Sequence, residues 1–552
     1  MFAFSRVALF FRRLTAYLSA ILIFAASGGG QKLRDLDPAS LLLRGCHEHL
    51  LSVPSWSFYE PTAKILRTSA LEKKASHTLY LAKNESEYCQ LALQLRSRRI
   101  NMRFTVSDFK NEAGDTLTPI VCEEHYIKTT GSTVDGVRPD ALIPFNQEKA
   151  FDMEAATNYV FFIGVKTAPD TAPGDYVAEL TLTNPYAPDS KFENLKLTLT
   201  AHVWDFALPE TPSMETAMGL SKGEIAREHG VAADSEKADQ LYKDYYEFLL
   251  QHKISAYGLP VDILSDEAER YMNDPRCTTF CIPYASDETV RAYYGKLSEN
   301  PEWMRKGYFY PIDEPSDEEA YARYNAIAQR LSSLFPGYNM VTPFYTNEIE
   351  IGGEKTYGID LQSGKSSILC PESVIFDNDG FPERAAARQA LGDRVWWYVC
   401  CGPAPTTDYC NLFVQQDGIK HRLLFWQQKQ QNVTGFLYWN TVYWCDAPGG
   451  PWASAWTTPW TGPDTFGDGS LLYPGRAVGV DGPVSSLRLE AVTNGIEDYE
   501  YLCMAEKLLG ADFVNGVIAS VSKDLTHYTL SDAQFAVVRT ALGAAIEHAA
   551  NA

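Results

Sequence analysis

Apolar and polar positions alternate with a period of two in the first part of the chain, between about residues 45 and 207. The alternation is clearest over residues 78–81, 89–95, 176–182 and 195–200. A period of two puts successive side chains on opposite faces of a strand. The turns between these runs are rich in Asn, Asp, Gly and Pro. Short strands at this spacing predict an antiparallel β-sandwich over residues 45–207.

After a proline-containing linker at residues 207–212, the apolar pattern changes to strands followed by helices. The predicted strands cover residues 215–219, 254–258, 278–282, 308–312, 340–345, 367–370, 395–400 and 435–440. Amphipathic helices are predicted over residues 239–251, 383–391 and 418–431. Eight strand–helix units are typical of a TIM-like (β/α)8 barrel.

Two more helices, over residues 485–509 and 531–549, follow the predicted barrel. We therefore expect a multidomain β plus α/β protein. An N-terminal antiparallel β-sandwich is followed, over residues 211–552, by a TIM-like (β/α)8 barrel with a C-terminal helical extension. Arg488 and Glu490, near the start of the first of these helices, are expected to form an internal ion pair.

The composition excludes several classes of partner. The chain has 552 residues and a net charge of −22. Nucleic acids and anionic membrane surfaces both attract basic surfaces, so neither is an expected partner. Aromatic residues make up 12% of the chain. This share agrees with a site that stacks sugar rings, although a large aromatic core gives the same value.

The N-terminus has the pattern of a secretory signal peptide. Arg6, Arg12 and Arg13 precede an apolar stretch at residues 14–26, and small residues follow at 25–28. We predict a signal peptide over residues 1–27 and export to the periplasm or the exterior. No other segment approaches 18 apolar residues, so membrane insertion is not expected.

The 11 cysteines do not suggest a metal or cofactor site. Cys400 and Cys401 are adjacent within an apolar run, and no Cys or His spacing suits zinc. We expect no metal and no cofactor, and we interpret most cysteines as small buried apolar residues. A bridge between Cys277 and Cys281 remains open.

The most informative segment is the aromatic run at residues 308–312, which ends in Asp313 and Glu314. Pro315 ends the strand because proline has no N–H for a sheet ladder. Ser316 and Glu319 then have the spacing of a helix capping box. In a (β/α) barrel, this strand-to-helix junction is the face where catalysis takes place. The alternative is an ordinary acidic helix start, since the helix dipole favours carboxylates there.

Several strings together resemble one family. They are YPIDEP (310–315), VWWYVCCGP (395–403), HRLLFW (421–426), GFLYWN (435–440), GDGSLLYPG (467–475), SLRLEA (486–491) and GIEDYEY (495–501). Over about residues 210–510 the chain resembles the glycoside hydrolase family 123 catalytic domain, also catalogued as domain of unknown function 4091. The preceding β-sandwich fits the layout of that family.

The resemblance implies an exo-acting N-acetyl-β-galactosaminidase with a substrate-assisted, retaining mechanism. The substrate's own 2-acetamido oxygen would attack the anomeric carbon and give an oxazolinium intermediate. By position, Asp313 would orient the acetamido group and Glu314 would act as the acid and then the base. An ionised Asp313 would also keep Glu314 protonated to higher pH.

Other aromatic residues at strand ends are candidates for substrate binding. Tyr345 is expected to hydrogen-bond the acetamido carbonyl. The sugar pocket is expected to be walled by Trp397, Tyr398, Tyr438, Trp439 and Trp444. Since strand side chains alternate, about half of these residues are expected to point into the helix layer.

Two other functions remain open from the sequence, and so does the oligomeric state. The first is a non-catalytic carbohydrate-binding protein on a glycosidase-like barrel. The second is a glycosidase for neutral sugars, which needs a separate carboxylate nucleophile such as Glu348, Glu350 or Asp377.

Overall fold

A computed structural model describes residues 54–129, 136–185, 194–444, 455–457 and 464–551. The predicted signal peptide, residues 1–27, lies outside these ranges. In the described part of the chain, no helix has both the length and the apolar character needed to cross a bilayer.

Among the strands before residue 210, those at 99–106, 174–183 and 195–207 alternate buried and more exposed side chains, whereas those at 86–94 and 158–166 are buried almost throughout. The strands before residue 210 are β1 (Ser55–Tyr59), β2 (Thr78–Lys83), β3 (Ser86–Gln94), β4 (Arg99–Val106), β5 (Phe109–Lys110), β6 (Thr116–Leu117), β7 (Ile120–Thr129), β8 (Gly136–Pro144), β9 (Phe151–Met153), β10 (Asn158–Lys166), β11 (Gly174–Thr183) and β12 (Leu195–Ala207).

These strands form two facing sheets. One sheet contains β1-β3-β10-β7-β8 in that order, and the other contains β2-β12-β11-β4-β9, with β5 and β6 beside β11. The pairings are antiparallel except for β2 with β12, which is parallel. Leu91, Phe161 and Leu199 belong to one apolar cluster that both sheets contribute to. The period-two pattern therefore corresponds to an apolar core between two sheets, as the sequence predicts.

The second half of the chain alternates strands and helices. Its strands are β13 (Glu215–Met218), β14 (Phe280–Ile282), β15 (Gly307–Phe309), β16 (Val341–Phe344), β17 (Glu348–Ile351), β18 (Glu354–Tyr357), β19 (Ile368–Pro371), β20 (Arg394–Val399), β21 (Gly435–Tyr438), β22 (Tyr473–Pro474) and β23 (Pro483–Ser486). Its helices are α1 (Lys222–His229), α2 (Glu236–Gln251), α3 (Ala268–Met272), α4 (Asp287–Leu297), α5 (Pro301–Lys306), α6 (Glu318–Leu334), α7 (Gly358–Leu361), α8 (Phe381–Ala390), α9 (Gly418–Gln430), α10 (Leu487–Leu509), α11 (Ala511–Ala519) and α12 (Asp532–Ala550).

The central strands of this half pair in parallel. One sheet has the order β13-β21-β20-β19-β16, and a second pairs β14 with β15. Isolated parallel bridges join Met218 to Ala256 and Phe309 to Met340. Seven of the eight predicted strands are thus present. Residues 254–258 are not a strand, partly because the amide of Ser255 donates to the hydroxyl of Thr216 and not to a backbone carbonyl.

Side chains of the parallel strands alternate between two apolar clusters. Trp396 and Tyr398 belong to a small cluster with Tyr308 and Leu437. Trp397 belongs to the large cluster that includes the helices. There its ring meets Phe376 edge to face, and its indole N–H donates to Gln428 at 3.0 Å. The two faces of β20 therefore serve different layers.

Two short strands connect this half to the sandwich. β23 pairs with β22 and also with β8, where Ser486 lies opposite Ala141, so the first sandwich sheet continues into residues 473–486. Helix α10 follows at once, and the hydroxyl of Ser486 caps it by accepting from the amide of Leu489. No local pattern in the sequence predicts this return of the chain to the sandwich.

A buried ion pair lies where the sandwich meets α10. Arg488 donates through Nε and Nη2 to the two oxygens of Asp140 on β8, both at 2.9 Å. Both side chains are fully buried. Burial opposes ionisation of Asp140, but the charge and hydrogen bonds of Arg488 hold its pKa below the usual range. The predicted partner, Glu490, instead accepts from Ser485 and His252, so the prediction of an Arg488–Glu490 pair is wrong.

The helix caps and the cysteines differ in part from what the sequence predicts. Ser531 caps α12 by accepting from the amide of Gln534. Helix α6, however, is capped by Asp317, whose carboxylate accepts from the amide of Ala320, and not by Ser316. Cys277 and Cys281 are both free thiols, so no bridge joins them.

Asp140→Asn is expected to destabilise the protein strongly, because it leaves the buried Arg488 guanidinium without its counter-charge. Breaking such a pair costs roughly 3–5 kcal/mol of unfolding free energy. Urea unfolding followed by tryptophan fluorescence measures the effect.

Lys196→Ala is the matched control in the same sandwich. It breaks the solvent-exposed pair between Lys196 and Glu179, which should cost less than about 1 kcal/mol. Equal losses in the two variants would contradict a special role for the buried pair.

Candidate active site

A cavity of about 470 Å³ opens at the carboxyl ends of the parallel strands. This volume lies in the range of small-molecule sites, about 300–1,000 Å³. The cavity is lined by Tyr310, Asp313, Glu314, Pro343, Tyr398, Cys400, Cys401, Leu437, Trp439, Tyr443, Thr465 and Asp468. The carboxylate pair predicted from the sequence therefore lies in a cavity with aromatic walls.

Asp313 is held by a tyrosine of its own loop. The hydroxyl of Tyr310 donates to Oδ1 of Asp313 at 2.7 Å. The Tyr310 ring in turn meets Tyr257 edge to face. Burial, together with the neighbouring Tyr257 and Asp313, raises the pKa of Tyr310 well above its usual range. Tyr310 therefore stays a hydrogen-bond donor and fixes the direction of the Asp313 carboxylate.

Glu314 is held by a different strand and has an unusual backbone. The hydroxyl of Tyr398, at the end of β20, donates to Oε1 of Glu314 in a short hydrogen bond. The φ angle of Glu314 is 41°, in the left-handed region. A non-glycine residue there costs roughly 1–3 kcal/mol, and such strain is concentrated at functional sites. The backbone is therefore strained at the residue that carries the second carboxylate.

Burial is the main cause of the raised pKa of Glu314. It raises the pKa of Glu314, the hydrogen bond from Tyr398 lowers it, and the charge of Asp313 raises it by a smaller amount. The expected effect of Asp313 is thus present but secondary. A carboxyl group with a raised pKa beside a second carboxylate, here Asp313, is suited to general acid catalysis.

A third carboxylate, Asp468, lies on the loop between β21 and β22. The indole N–H of Trp439 and the hydroxyl of Tyr438 donate to its Oδ1 at 3.0 and 3.2 Å. Burial raises the pKa of Asp468 to about 6 against these hydrogen bonds. Asp468 also lines the cavity, so its carboxylate is suited to accept from a ligand hydroxyl.

The two glycines beside Asp468 are required by the packing. Gly467 and Gly469 have φ angles of 78° and 68°. A Cβ on Gly467 would lie 2.7 Å from the guanidinium carbon of Arg488, and one on Gly469 would lie 2.2 Å from the Trp439 ring. The motif at residues 467–469 therefore brings Asp468 close to two large side chains.

The predicted substrate-binding aromatics separate into two groups. Tyr398 and Trp439 line the cavity. Tyr438 is fully buried and does not line the cavity, but its hydroxyl donates to the carboxylate of Asp468. Trp397 faces the helix layer, because residues adjacent on a strand point to opposite sides. Trp444 is buried next to Tyr245, and its indole N–H donates to a backbone carbonyl, that of Leu472.

Tyr345 follows β16, and its side chain is 49% exposed. It is not among the residues that line the cavity. The described structure therefore gives no contact between this phenol and the carboxylate pair.

Sequence reasoning missed Tyr310, Tyr443, Thr465 and Glu372. Glu372 follows β19, and its Oε1 lies against Gly402, where a Cβ would come within 2.2 Å. Burial and then the charge of Glu314 raise the pKa of Glu372 to about 7. The signal for Tyr310 was available, since it lies three residues before Asp313 at a strand end. Glu372 had no comparable signal.

A larger cavity, of about 630 Å³, lies between the sandwich and α12. Most of its charged side chains are paired: Lys74 with Glu60, Arg422 with Glu87, and Arg539 with Glu85 outside the lining. Asp532 instead accepts from the hydroxyl of Thr62. This pairing indicates a structural junction, so we place the chemistry in the smaller cavity. Within the described ranges, no group of three or more His, Cys, Asp or Glu residues is arranged to hold a metal ion.

Residues 354–505 match the family model for the glycoside hydrolase 123 catalytic domain. The matched segment contains Tyr398, Trp439 and Asp468 but begins after Asp313 and Glu314. No curated protein matches the chain.

One solved structure shares the fold over most of its length. It is a family 123 glycoside hydrolase from Clostridium perfringens, with a TM-score of 0.66 and 14% identity, covering 90% of this chain and 98% of that chain. A glycosyl hydrolase family 2 member from Bacteroides cellulosilyticus has a TM-score of 0.24 and 8% identity, covering 70% of this chain and 46% of that chain. A family 2 β-galacturonidase from Eisenbergiella tayi has a TM-score of 0.26 and 11% identity, covering 74% and 73%. The last two TM-scores do not show a shared fold.

The family match and the shared fold confirm the resemblance found in the sequence. They favour a hydrolase over the non-catalytic alternative. Through the segment at residues 354–505, the chain is similar to the glycoside hydrolase 123 catalytic domain, and it is a glycoside hydrolase.

Proposed function

We propose that the protein is an exo-acting, retaining hydrolase that releases β-linked N-acetylgalactosamine, or a related 2-acetamido sugar, by substrate-assisted catalysis. The observation that carries this proposal is the pair of adjacent carboxylates, each held by its own tyrosine hydroxyl. The pair has the acid and the orienting group that such a mechanism needs, close together on one loop.

The framework that we propose for this site is a (β/α)8 barrel. Parallel pairings and bridges link β13, residue 256, β14, β15, β16, β19, β20 and β21 in turn, and β21 pairs again with β13. Between residue 256 and β14, the amide of Cys281 donates to the carbonyl of Tyr257 at 2.5 Å. A closed ring of this kind supports a site at its carboxyl face.

The chemistry assigns each carboxylate a separate task. Asp313 accepts the acetamido N–H, turns the acetamido oxygen toward the anomeric carbon and stabilises the positive charge of the oxazolinium ring. Glu314 gives its proton to the glycosidic oxygen, so the aglycone leaves as an alcohol. Glu314 then takes a proton from the water that attacks the anomeric carbon, and the ring opens to the product sugar.

Substrate assistance also agrees with the positions of the carboxylates that the sequence offers as enzymic nucleophiles. A double-displacement glycosidase needs a second carboxylate about 5 Å from its acid across the sugar. Glu348 and Glu350 lie on the β17–β18 hairpin, and Asp377 accepts from Tyr409. None of the three lines the cavity. Asp468, which lines the cavity, and Glu372, whose pKa is raised by the charge of Glu314, are described carboxyl groups that keep a neutral-sugar enzyme as an alternative.

The substrate that we propose is a glycan carried on a lipid or protein. The work on the Clostridium perfringens enzyme concerns glycolipid glycan hydrolysis. In this chain, Trp439 and Tyr443 meet edge to face at the cavity wall, which gives an apolar surface for a sugar ring. We also propose that the protein is exported, since residues 1–27 have the pattern of a signal peptide.

The 2-acetamido group should be essential for turnover. We expect hydrolysis of p-nitrophenyl N-acetyl-β-galactosaminide and no comparable cleavage of p-nitrophenyl β-galactoside, which lacks the internal nucleophile. Initial rates on the two substrates measure this difference. Equal cleavage of both would support the neutral-sugar alternative with an enzymic nucleophile.

The two carboxylates should respond differently to the leaving group. Glu314→Gln should slow hydrolysis of glycosides with alkyl leaving groups by about 10²–10⁴-fold, the usual share of general acid catalysis, and should affect activated aryl glycosides much less. Asp313→Asn should slow both kinds, because the acetamido group loses its charged partner. A plot of log kcat/KM against leaving-group pKa for each variant tests this, and equal slopes would refute the division of roles.

The alkaline limb of kcat/KM should move in opposite directions in two variants. Activity on a poor leaving group needs protonated Glu314, so it falls as pH rises through the pKa of Glu314. Tyr398→Phe removes a hydrogen bond that lowers this pKa, and the limb should move to higher pH. Asp313→Asn removes a negative charge that raises it, and the limb should move to lower pH.

Trp397→Phe is the control for the pH measurement, because Trp397 is adjacent to Tyr398 but faces the helix layer. Its limb should stay where it is in the wild type. Shifts in the same direction for Tyr398→Phe and Asp313→Asn would mean that the limb does not report Glu314.

A further inference from the structure

Two adjacent thiols lie in the cavity wall, where the proposed mechanism gives them no task. Cys400 and Cys401 follow β20 directly, and both line the cavity with Tyr398 and Glu314. Their sulfur atoms are 3.9 Å apart. We propose that Cys400 and Cys401 are a thiol modification site that hydrogen peroxide oxidises to a reversible disulfide, and that this oxidation lowers hydrolysis. The activity readout rests on the proposed function, but the chemical modification does not.

Cys401 differs from the other described cysteines in its exposure. Among the nine cysteines in the described residues, it is the one with an exposed side chain. Cys89, Cys277, Cys370 and Cys410 are buried, and burial raises the pKa of each thiol. An oxidant in solution therefore meets Cys401 first, since susceptibility to oxidation depends on access and on thiolate character.

The thiol pair also favours a thiolate at Cys401. The contact with the Cys400 thiol lowers the pKa of Cys401 to about 7, and it raises the pKa of Cys400. Burial and the carboxylates of Asp468, Glu314 and Glu372 act against this lowering at Cys401. A low-pKa, accessible cysteine beside a second cysteine is the usual arrangement of a redox-sensitive thiol.

The surrounding contacts hold the loop after β20 in place. The side-chain amide of Asn411 donates to the carbonyls of Cys400 and Pro403, at 3.0 and 2.9 Å. The amide of Gly402 donates to the sulfur of Cys400 at 3.4 Å, and Gly402 packs against Glu372. The loop is thus fixed from several sides while its sulfur atoms face the cavity.

The reaction proceeds in two balanced steps. The Cys401 thiolate attacks one peroxide oxygen, the O–O bond breaks and hydroxide leaves, which gives a sulfenic acid. The Cys400 thiol then attacks the sulfur of Cys401, an S–S bond forms, and the hydroxyl leaves as water with the proton of Cys400. In total, two thiols lose two electrons and one peroxide becomes two waters.

The disulfide should be easy to reduce and should disturb the site. Consecutive Cα atoms lie about 3.8 Å apart across a trans peptide, less than the usual 4.4–6.8 Å of a disulfide. Strained disulfides are the labile ones. Joining the sulfur atoms, which are 3.9 Å apart, should strain the loop that follows β20. Tyr398, whose hydroxyl holds Glu314, lies in the same strand just before this loop.

The test uses the full-length enzyme, reduced, desalted and then treated with hydrogen peroxide. Free thiols are alkylated, and chymotrypsin releases residues 399–409, which contain Cys400 and Cys401 as their only cysteines. We expect this fragment to escape alkylation and to weigh two hydrogens less than the reduced form. We also expect kcat/KM to fall roughly tenfold or more, because misplacement by about 1 Å can cost 10²-fold, and to recover with dithiothreitol.

Three variants make the test specific, each compared with its own untreated activity. Cys401→Ser should lose no activity with peroxide, and Cys400→Ser should lose it without recovery, because no resolving thiol stops further oxidation. Cys503→Ser, which changes a partly buried thiol with a raised pKa, should respond like the wild type. The variants all keep Cys46 and Cys445, which lie outside the described residues.

Two results would overturn the proposal. One is an unchanged 399–409 fragment after peroxide treatment, and the other is equal inactivation of the wild type and Cys401→Ser. If instead no 2-acetamido glycoside is cleaved, the proposed function fails. The mass of the fragment still decides whether the thiols react, and inhibition is then read on whichever glycoside the enzyme hydrolyses.

Discussion

The arrangement of the site depends on the buried guanidinium of Arg488. All five of its N–H groups are used: two bind Asp140, and the others bind the carbonyls of Leu412, Gly467 and Ser470. The carbonyls at 467 and 470 flank Asp468. Leu412 follows Asn411, which holds the loop after β20. One planar cation therefore fixes two walls of the cavity. A lysine has three donors and no fork, and it would leave buried carbonyls unpaired.

The two proposed catalytic carboxylates are neighbours in sequence but depend on different parts of the fold. Asp313 is held by Tyr310, three residues away on the same loop. Glu314 is held by Tyr398, 84 residues later. The left-handed backbone at Glu314 lets the two side chains take different directions. The loop thus needs both its own strand and β20 before it has a working geometry.

Local patterns in the sequence predicted the local features of this structure well. Period-two alternation gave the sandwich strands, and the aromatic run ending at Asp313 gave the acid pair. The failures involve information that is not local. Three consecutive aromatic residues at 396–398 do not reveal which of them faces the helices. The partners Arg488 and Asp140 are 348 residues apart, so neighbouring charges such as Glu490 attract the wrong assignment. Residues 254–258 are apolar enough for a strand, but side-chain hydroxyls take part of their backbone hydrogen bonding.

The pairing of β23 with β8 has a consequence for how such a protein can be divided or recombined. A cut at the linker near residue 210 would not separate two complete modules. The sandwich would lose strands from the edge of one sheet, and the hydrolase half would lose the carboxylate that neutralises Arg488. The sandwich is therefore not an appendage that can be exchanged for a foreign module. Shuffling at that boundary would have to carry residues 473–488 with the sandwich, or else create a matching sheet edge and a buried acid in the new partner.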